Sequence, residues 1–170
     1  MLHDVRPQRI EPGPGQESVW DYPRPPRLES TTRRLAIVLG GLTVVDTTGG
    51  LRVLETSHPP VYYLPMADFA DGALSPSAGG SASYCEFKGQ AVYMDLGGGD
   101  RLERAVAWHY PRPTPGFEAI VGHVAIYPAR MDACLVDGER AEPQPGGFYG
   151  GWITDDVVGP FKGATGTWGW

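Results

Sequence analysis

Short apolar runs broken by glycine and proline fill the chain, and the alternation inside them has the two-residue period of half-buried β-strands. Residues 35–39 predict a strand, Gly40-Gly41 a turn, and residues 42–45 the returning strand. Turn chemistry at 46–50 leads into a strand at 51–56. A further strand at 61–64 follows His58-Pro59-Pro60, where the prolines call for a bend or a sheet edge. Residues 65–70 predict one short helix with Pro65 in its first turn, and 75–81 a loop. Residues 83–96 read as a strand interrupted at Gly89. On that reading Tyr84, Glu86 and Lys88 share one face, while Cys85 and Phe87 take the other. Gly97-Gly98-Gly99-Asp100 turns the chain round, and 105–110 alternates with Val106, Trp108 and Tyr110 on one face and His109 opposite. Strands at 122–127 and 133–136 complete the pattern, the second closed by the hairpin signal Asp137-Gly138.

The fold class that follows is all-β with minor α, in a single domain. In a chain of 170 residues, 24 glycines and 17 prolines favour many short strands over long helices. Residues 1–30 read as an extended arm rich in proline and charge, which Val19, Trp20 and Tyr22 are able to pin to the body, and 31–170 as the β domain. Its tail interleaves glycine and aromatics in Phe148-Tyr149-Gly150-Gly151-Trp152 and Gly166-Thr167-Trp168-Gly169-Trp170, as suits a wrap over the sheet. A formal charge of −6 without a basic stripe argues against nucleic acid. No apolar run approaches the roughly 18 residues of a membrane span, and the first residues lack the apolar core of a secretory signal. Those readings make the cytoplasm the expected compartment. Cys85 and Cys134 have no CxxC spacing, so they are read as independent thiols, Cys134 as core filler.

Four phrases occur in order: Leu54-Glu55-Thr56-Ser57-His58-Pro59-Pro60-Val61-Tyr62-Tyr63-Leu64-Pro65, Ser83-Tyr84-Cys85-Glu86-Phe87-Lys88-Gly89, Ala107-Trp108-His109-Tyr110-Pro111 and Gly122-His123-Val124-Ala125-Ile126-Tyr127. Together they resemble the bacterial and fungal family known as domain of unknown function 427, from about Val19 to the C-terminus. Phe87 and Met94 depart from its pattern by standing where tryptophans are common, which keeps bulk and loses an indole N–H. The resemblance implies an antiparallel, tent-like fold of two sheets splayed from a common ridge. Related tents carry structural zinc on cysteine pairs, which this chain lacks, so no such metal and no cofactor is expected. A nucleotidyltransferase label is sometimes attached to the family. That chemistry holds Mg²⁺ on two or three carboxylates, usually an Asp-x-Asp pair after a Gly-Ser turn; the chain has no such pair, so Gly79-Gly80-Ser81 is read as a plain turn and the label is not adopted.

Two readings of the chemistry remain. Charges that alternate with aromatics on a strand must pair or meet a ligand or solvent. One reading is therefore a small-molecule pocket for an anionic or carbonyl-bearing metabolite, with Glu86, Lys88 and Cys85 as its reactive groups and His58, Tyr62, Tyr63, Tyr84, Tyr93 and Trp108 as its lining. In it Lys88 binds the ligand, Glu86 orients Lys88 or acts as a general base, and Cys85 forms wall or reacts. The alternative is a non-catalytic structural or protein-interaction module. Open sheet edges also allow a homodimer.

Overall fold

The computed structural model describes residues 7–78 and 82–170; Met1 to Arg6 and Gly79-Gly80-Ser81, with the turn expected there, lie outside them. In chain order the strands are β1 (Glu17–Ser18), β2 (Arg27–Ser30), β3 (Leu35–Leu39), β4 (Leu42–Thr47), β5 (Leu51–Leu54), β6 (Val61–Pro65), β7 (Leu74–Pro76) and β8 (Ala82–Cys85). The second half adds β9 (Gly89–Gly98), β10 (Arg101–His109), β11 (His123–Ile126), β12 (Ala133–Val136), β13 (Glu139–Arg140), β14 (Glu142–Pro143), β15 (Trp152–Ile153) and β16 (Val157–Val158). Helical structure among the described residues is confined to single 3₁₀ turns, one of them at Met66–Asp68 inside the expected helix.

Two antiparallel sheets make the body, as expected. The larger runs β2-β5-β6-β11-β10-β9-β7, with β8 pairing the first half of β9; the smaller runs β13-β12-β3-β4. Strand alternation divides the large sheet's residues between two apolar layers. Tyr62, Leu64, Leu96, Ala107, Val124 and Ile126 face Leu35, Ile37, Leu39, Cys134 and Val136 of the small sheet. On the far face Val53, Tyr63, Ala91, Trp108 and Ala125 form a second layer with Tyr110, Phe117 and Ile120. The sheets touch where two glycine turns press backbone to backbone: a Cβ on Gly40 would run into the Gly98 carbonyl, and one on Gly99 into that of Gly40.

Three sequence expectations change. The loop expected at 75–81 begins inside β7, which pairs with β9 from Leu74 to Pro76. Residues 83–96 are a hairpin, not one interrupted strand: β8 ends at Cys85, Glu86 to Lys88 form the turn, and β9 returns from Gly89. Gly89 sits at φ +103, which disfavours any side chain there. The Thr114 N–H donates to the Lys88 carbonyl (3.1 Å) and its hydroxyl to the Phe87 carbonyl. Tyr84, Glu86 and Lys88 therefore share no strand face. Val106, in turn, leaves the face of Trp108 and Tyr110 for the inter-sheet core. A bulge over residues 104–106 opposite Asp95 turns it; Ala105 takes φ +52, and its N–H donates to the buried Asp95 carboxylate (2.8 Å).

The N-terminal segment is tied down. Val19 and Tyr22 bury against Leu54 and Val157, and β1 pairs β16 in parallel. Arg52 donates to Glu17 and to Glu29, each at 2.6 Å, and Tyr22 donates to Glu17 at 2.7 Å. Burial pushes the Glu17 carboxyl up, but the bonds from Arg52 and Tyr22 outweigh it and leave it below its usual 4.5. A depressed carboxylate contributes stability above its unfolded value, lost as pH falls through the folded one. Urea midpoints of the wild type and Glu17→Gln should therefore differ at pH 7 and converge below pH 4.5. A gap independent of pH would mean that the Glu17 carboxylate does not hold the N-terminal segment.

Candidate functional site

The far face of the large sheet carries a cleft of about 370 Å³ where three segments meet: the β8–β9 turn, the β5–β6 connection and the C-terminal wrap. The turn supplies Cys85, Glu86, Phe87 and Lys88, and the connection Glu55 and His58 between Val53 and Val61. The wrap adds Gln144, Tyr149, Gly150 and Lys162. The wrap reaches the sheet because Gly150 lies flat on the Trp108 ring, where a Cβ would overlap the indole. It is held there by the Trp152 N–H on the Pro60 carbonyl (2.9 Å) and the Lys162 N–H on the Ser57 carbonyl (2.9 Å).

His58 is fixed in position and tautomer. Its N–H donates to the Glu55 carbonyl (3.0 Å) across a tight turn with Ser57 at φ +73, and Pro59-Pro60 set the exit. Gln144, buried beneath, accepts the Gly151 N–H on Oε1 (3.1 Å), which identifies its other end as the amide nitrogen. That nitrogen donates to the Lys162 carbonyl (2.9 Å) and to His58 Nδ1 (3.0 Å). His58 Nδ1 is thus the acceptor, and its proton sits on Nε2, 3.4 Å from Glu55 Oε2. Tyr149 packs edge-on against the imidazole, ring centroids 5.2 Å apart. Burial pushes Glu55 up, yet His58, Arg24 (3.1 Å) and Lys88 outweigh it and hold the carboxyl below its ordinary value.

Lys88 is the exception to this internal pairing. Its Nζ stands 5.7 Å from the Tyr110 ring centroid, and no carboxylate among the described residues forms an ion pair with it. Burial pulls its pKa down, but Tyr63, Cys85 and Glu55 more than compensate and raise it above the usual lysine value. The side chain is a charged ammonium rather than a free amine.

Of the residues singled out from sequence, Cys85, Glu86, Lys88 and His58 come together at the cleft, with Glu86 exposed in the turn. Tyr63 and Trp108 form the layer behind it; the Trp108 indole N–H donates to the Tyr63 hydroxyl (3.3 Å). Tyr62 does not join them. Neighbours on a strand face opposite ways, and Tyr62 packs on Trp152 in the inter-sheet core, centroids 5.0 Å apart. Tyr84 lies outside the lining, 75% exposed, and Tyr93 packs farther along the sheet with its hydroxyl 2.9 Å from Ser83 Oγ. Cys134 is buried core, its thiol pushed up to about 12 by burial. Glu55, Tyr110, Gln144, Tyr149 and Lys162 escaped the sequence reading. Glu55 stands three residues before His58, a spacing that could have flagged it, whereas the others are brought in by tertiary structure.

A second cleft, about 270 Å³, lies by the N-terminal segment and contains Arg33 and Arg52. Both cations are already paired, Arg33 with Asp137 (2.8 Å) and Asp156 (2.6 Å), Arg52 with Glu17 and Glu29. No helix among the described residues is long and apolar enough to cross a membrane, and none of them group three or more His, Cys, Asp or Glu side chains fit to hold a metal ion. No curated protein matches the sequence. Residues 27–137 match the family model described as domain of unknown function DUF427, a span that includes Glu55, His58, Cys85 and Lys88 and stops short of the wrap; the chain belongs to that family.

Proposed function

We propose that the cleft binds a small anionic or carbonyl-bearing molecule, with the Lys88 ammonium as its anchor. The observation that carries this reading is a half-buried lysine that lines the cavity with no carboxylate among the described residues at ion-pair distance. Tyr63, Cys85 and Glu55 already favour the ammonium, but none of them is a carboxylate at ion-pair distance from it, which leaves that position to a ligand's anionic or carbonyl oxygen. The raised pKa favours an electrostatic role over a nucleophilic one, because an attacking amine needs a lowered value. Glu86, at the mouth, is free to steer Lys88 or to take a proton from a bound ligand, and Cys85 lines the wall beside it. Of the cleft's two carboxylates, Glu55 is engaged by His58 and Arg24 and Glu86 is exposed, which gives the nucleotidyltransferase label no metal-holding pair to rest on.

Thermal unfolding with acetate, phenylacetate, pyruvate and phosphate tests the reading. At a hundredfold excess over its dissociation constant a ligand contributes about 2.7 kcal/mol. For a chain of this size that raises the midpoint by roughly 5–10 °C. At least one of the four should do so in the wild type and none in Lys88→Met. Equal responses in both proteins, or none in either, would contradict it.

The exposed rings of Phe148 and Trp168, 78% and 65% accessible, favour the alternative of a protein-docking module. That reading expects Phe148→Ala to weaken association with a partner protein and Lys88→Met to leave it unchanged.

A further inference from the structure

Building on the cleft as a small-molecule site, we infer that its ligand is a monocarboxylate with a single apolar body, aryl or short alkyl, rather than a phosphate ester, sugar or nucleotide. Three observations on the cleft converge on this class.

The first is the wall. Val53, Val61, Phe87, Tyr149 and the face of Gly150 supply apolar walls, and apolar walls take an apolar body. The volume lies near the lower end of the roughly 300–1,000 Å³ of small-molecule sites, enough for one ring or a short chain and tight for a nucleotide.

The second is how little hydrogen-bonding capacity remains below the mouth, where Glu86 stays exposed. Both Gln144 amide protons are used, on His58 and on the Lys162 carbonyl, and its oxygen holds the Gly151 N–H. His58 spends Nδ1 on Gln144 and directs Nε2 at Glu55. Lys162 already donates to the Trp170 carbonyl at 3.0 Å. A polyol or nucleobase would bury donors and acceptors with few partners, a cost that grows with each hydroxyl. A carboxylate asks for much less.

The third is charge. One half-buried cation without an ion-pair partner among the described residues matches one negative charge. Phosphate sites gather several donors, an arginine fork or a run of backbone N–H groups; this cleft offers Lys88 as a point charge, and its other cation, Lys162, is partly engaged. The carboxylate meets Lys88 beside Cys85, and the apolar body extends over Val53 and Val61 toward Tyr149.

Isothermal titration of the full chain with phenylacetate, acetate, 2-phenylethanol and inorganic phosphate separates these contributions. Phenylacetate should bind, while acetate, lacking the body, and 2-phenylethanol, lacking the charge, should each bind about tenfold more weakly or worse. Lys88→Met should reduce phenylacetate to the level of 2-phenylethanol. Tyr149→Ala, a change on the wrap rather than in a strand, should weaken phenylacetate severalfold and bring it toward the level of acetate, which keeps the test decisive if Lys88→Met folds poorly. Acetate or phosphate binding as well as phenylacetate, and depending on Lys88, would overturn the apolar-body inference while leaving the anion site standing. Failure of all four probes to bind the wild type would overturn both.

Discussion

Gly40→Ala is expected to lower stability by about 2–5 kcal/mol, far more than the same change one residue later. Gly40 sits at φ +61, where a side chain is strained by about 1 kcal/mol or more. Its hydrogens also face the Gly98 carbonyl so closely that a Cβ there would overlap backbone. Neither partner is a flexible side chain, so the two turns must separate, and forced repacking of that kind adds about 1–3 kcal/mol. Gly41 has the same backbone conformation (φ +77) but nothing within 4 Å of a Cβ. Gly41→Ala should therefore cost about 1 kcal/mol, from the backbone alone. Urea denaturation of both variants, with the slope held to the wild-type value, reads the difference as the contact between the sheets. Equal losses would mean that the ridge tolerates separation and does not hold the two sheets together.

Trp152→Ala should be the most damaging change in the C-terminal wrap, costing about 3–5 kcal/mol. The residue is fully buried, packs on Tyr62 and links the wrap to the core between the sheets, and its backbone N–H holds Pro60. Its indole nitrogen, however, is buried without a hydrogen-bond partner among the described residues. Trp152→Phe loses ring area but also removes an unsatisfied donor, whose burial carries a penalty of about 1–3 kcal/mol. It should thus cost much less than the change in size alone suggests. Phe148→Ala, only four residues away but exposed, should stay within about 0.5 kcal/mol of the wild type. Chemical denaturation of the three variants checks the order; a Trp152→Ala loss no larger than that of Phe148→Ala would mean that the wrap is an appendage rather than part of the core.

Local signals wrote much of this fold into the sequence. Gly40-Gly41 and Asp137-Gly138 supply the positive φ that tight hairpins need, and the apolar alternation around them returned β3, β4 and β12 within two residues. What escaped was imposed from a distance. Glu86 and Lys88 fit a two-residue period, so the alternation ran straight through a turn that Thr114, some 25 residues on, helps to close. The bulge at Ala105 has no glycine to announce it and depends on Asp95 across the sheet. Of the five two-residue strands, β13 is announced by the Asp137-Gly138 turn, whereas β1, β14, β15 and β16 are too brief to show a period at all.

The candidate site divides the same way. Cys85, Lys88 and His58 could be read because thiol, amine and imidazole are conspicuous in strand-like surroundings. Tyr62 and Tyr63 could not both line one cavity, since neighbours on a strand face opposite sides, and that was legible from spacing alone. Gln144, which sets the His58 tautomer, looked like an ordinary tail residue until the wrap crossed the sheet.

The central claim is that Lys88 anchors a ligand in the cleft closed by the wrap. Amide chemical-shift mapping during titration with phenylacetate tests it most directly. The shifts should concentrate at Cys85 to Gly89, Glu55 to Val61 and Gln144 to Gly151, and should vanish in Lys88→Met. Shifts gathered instead around Arg33 and Arg52, or unchanged by Lys88→Met, would contradict the account.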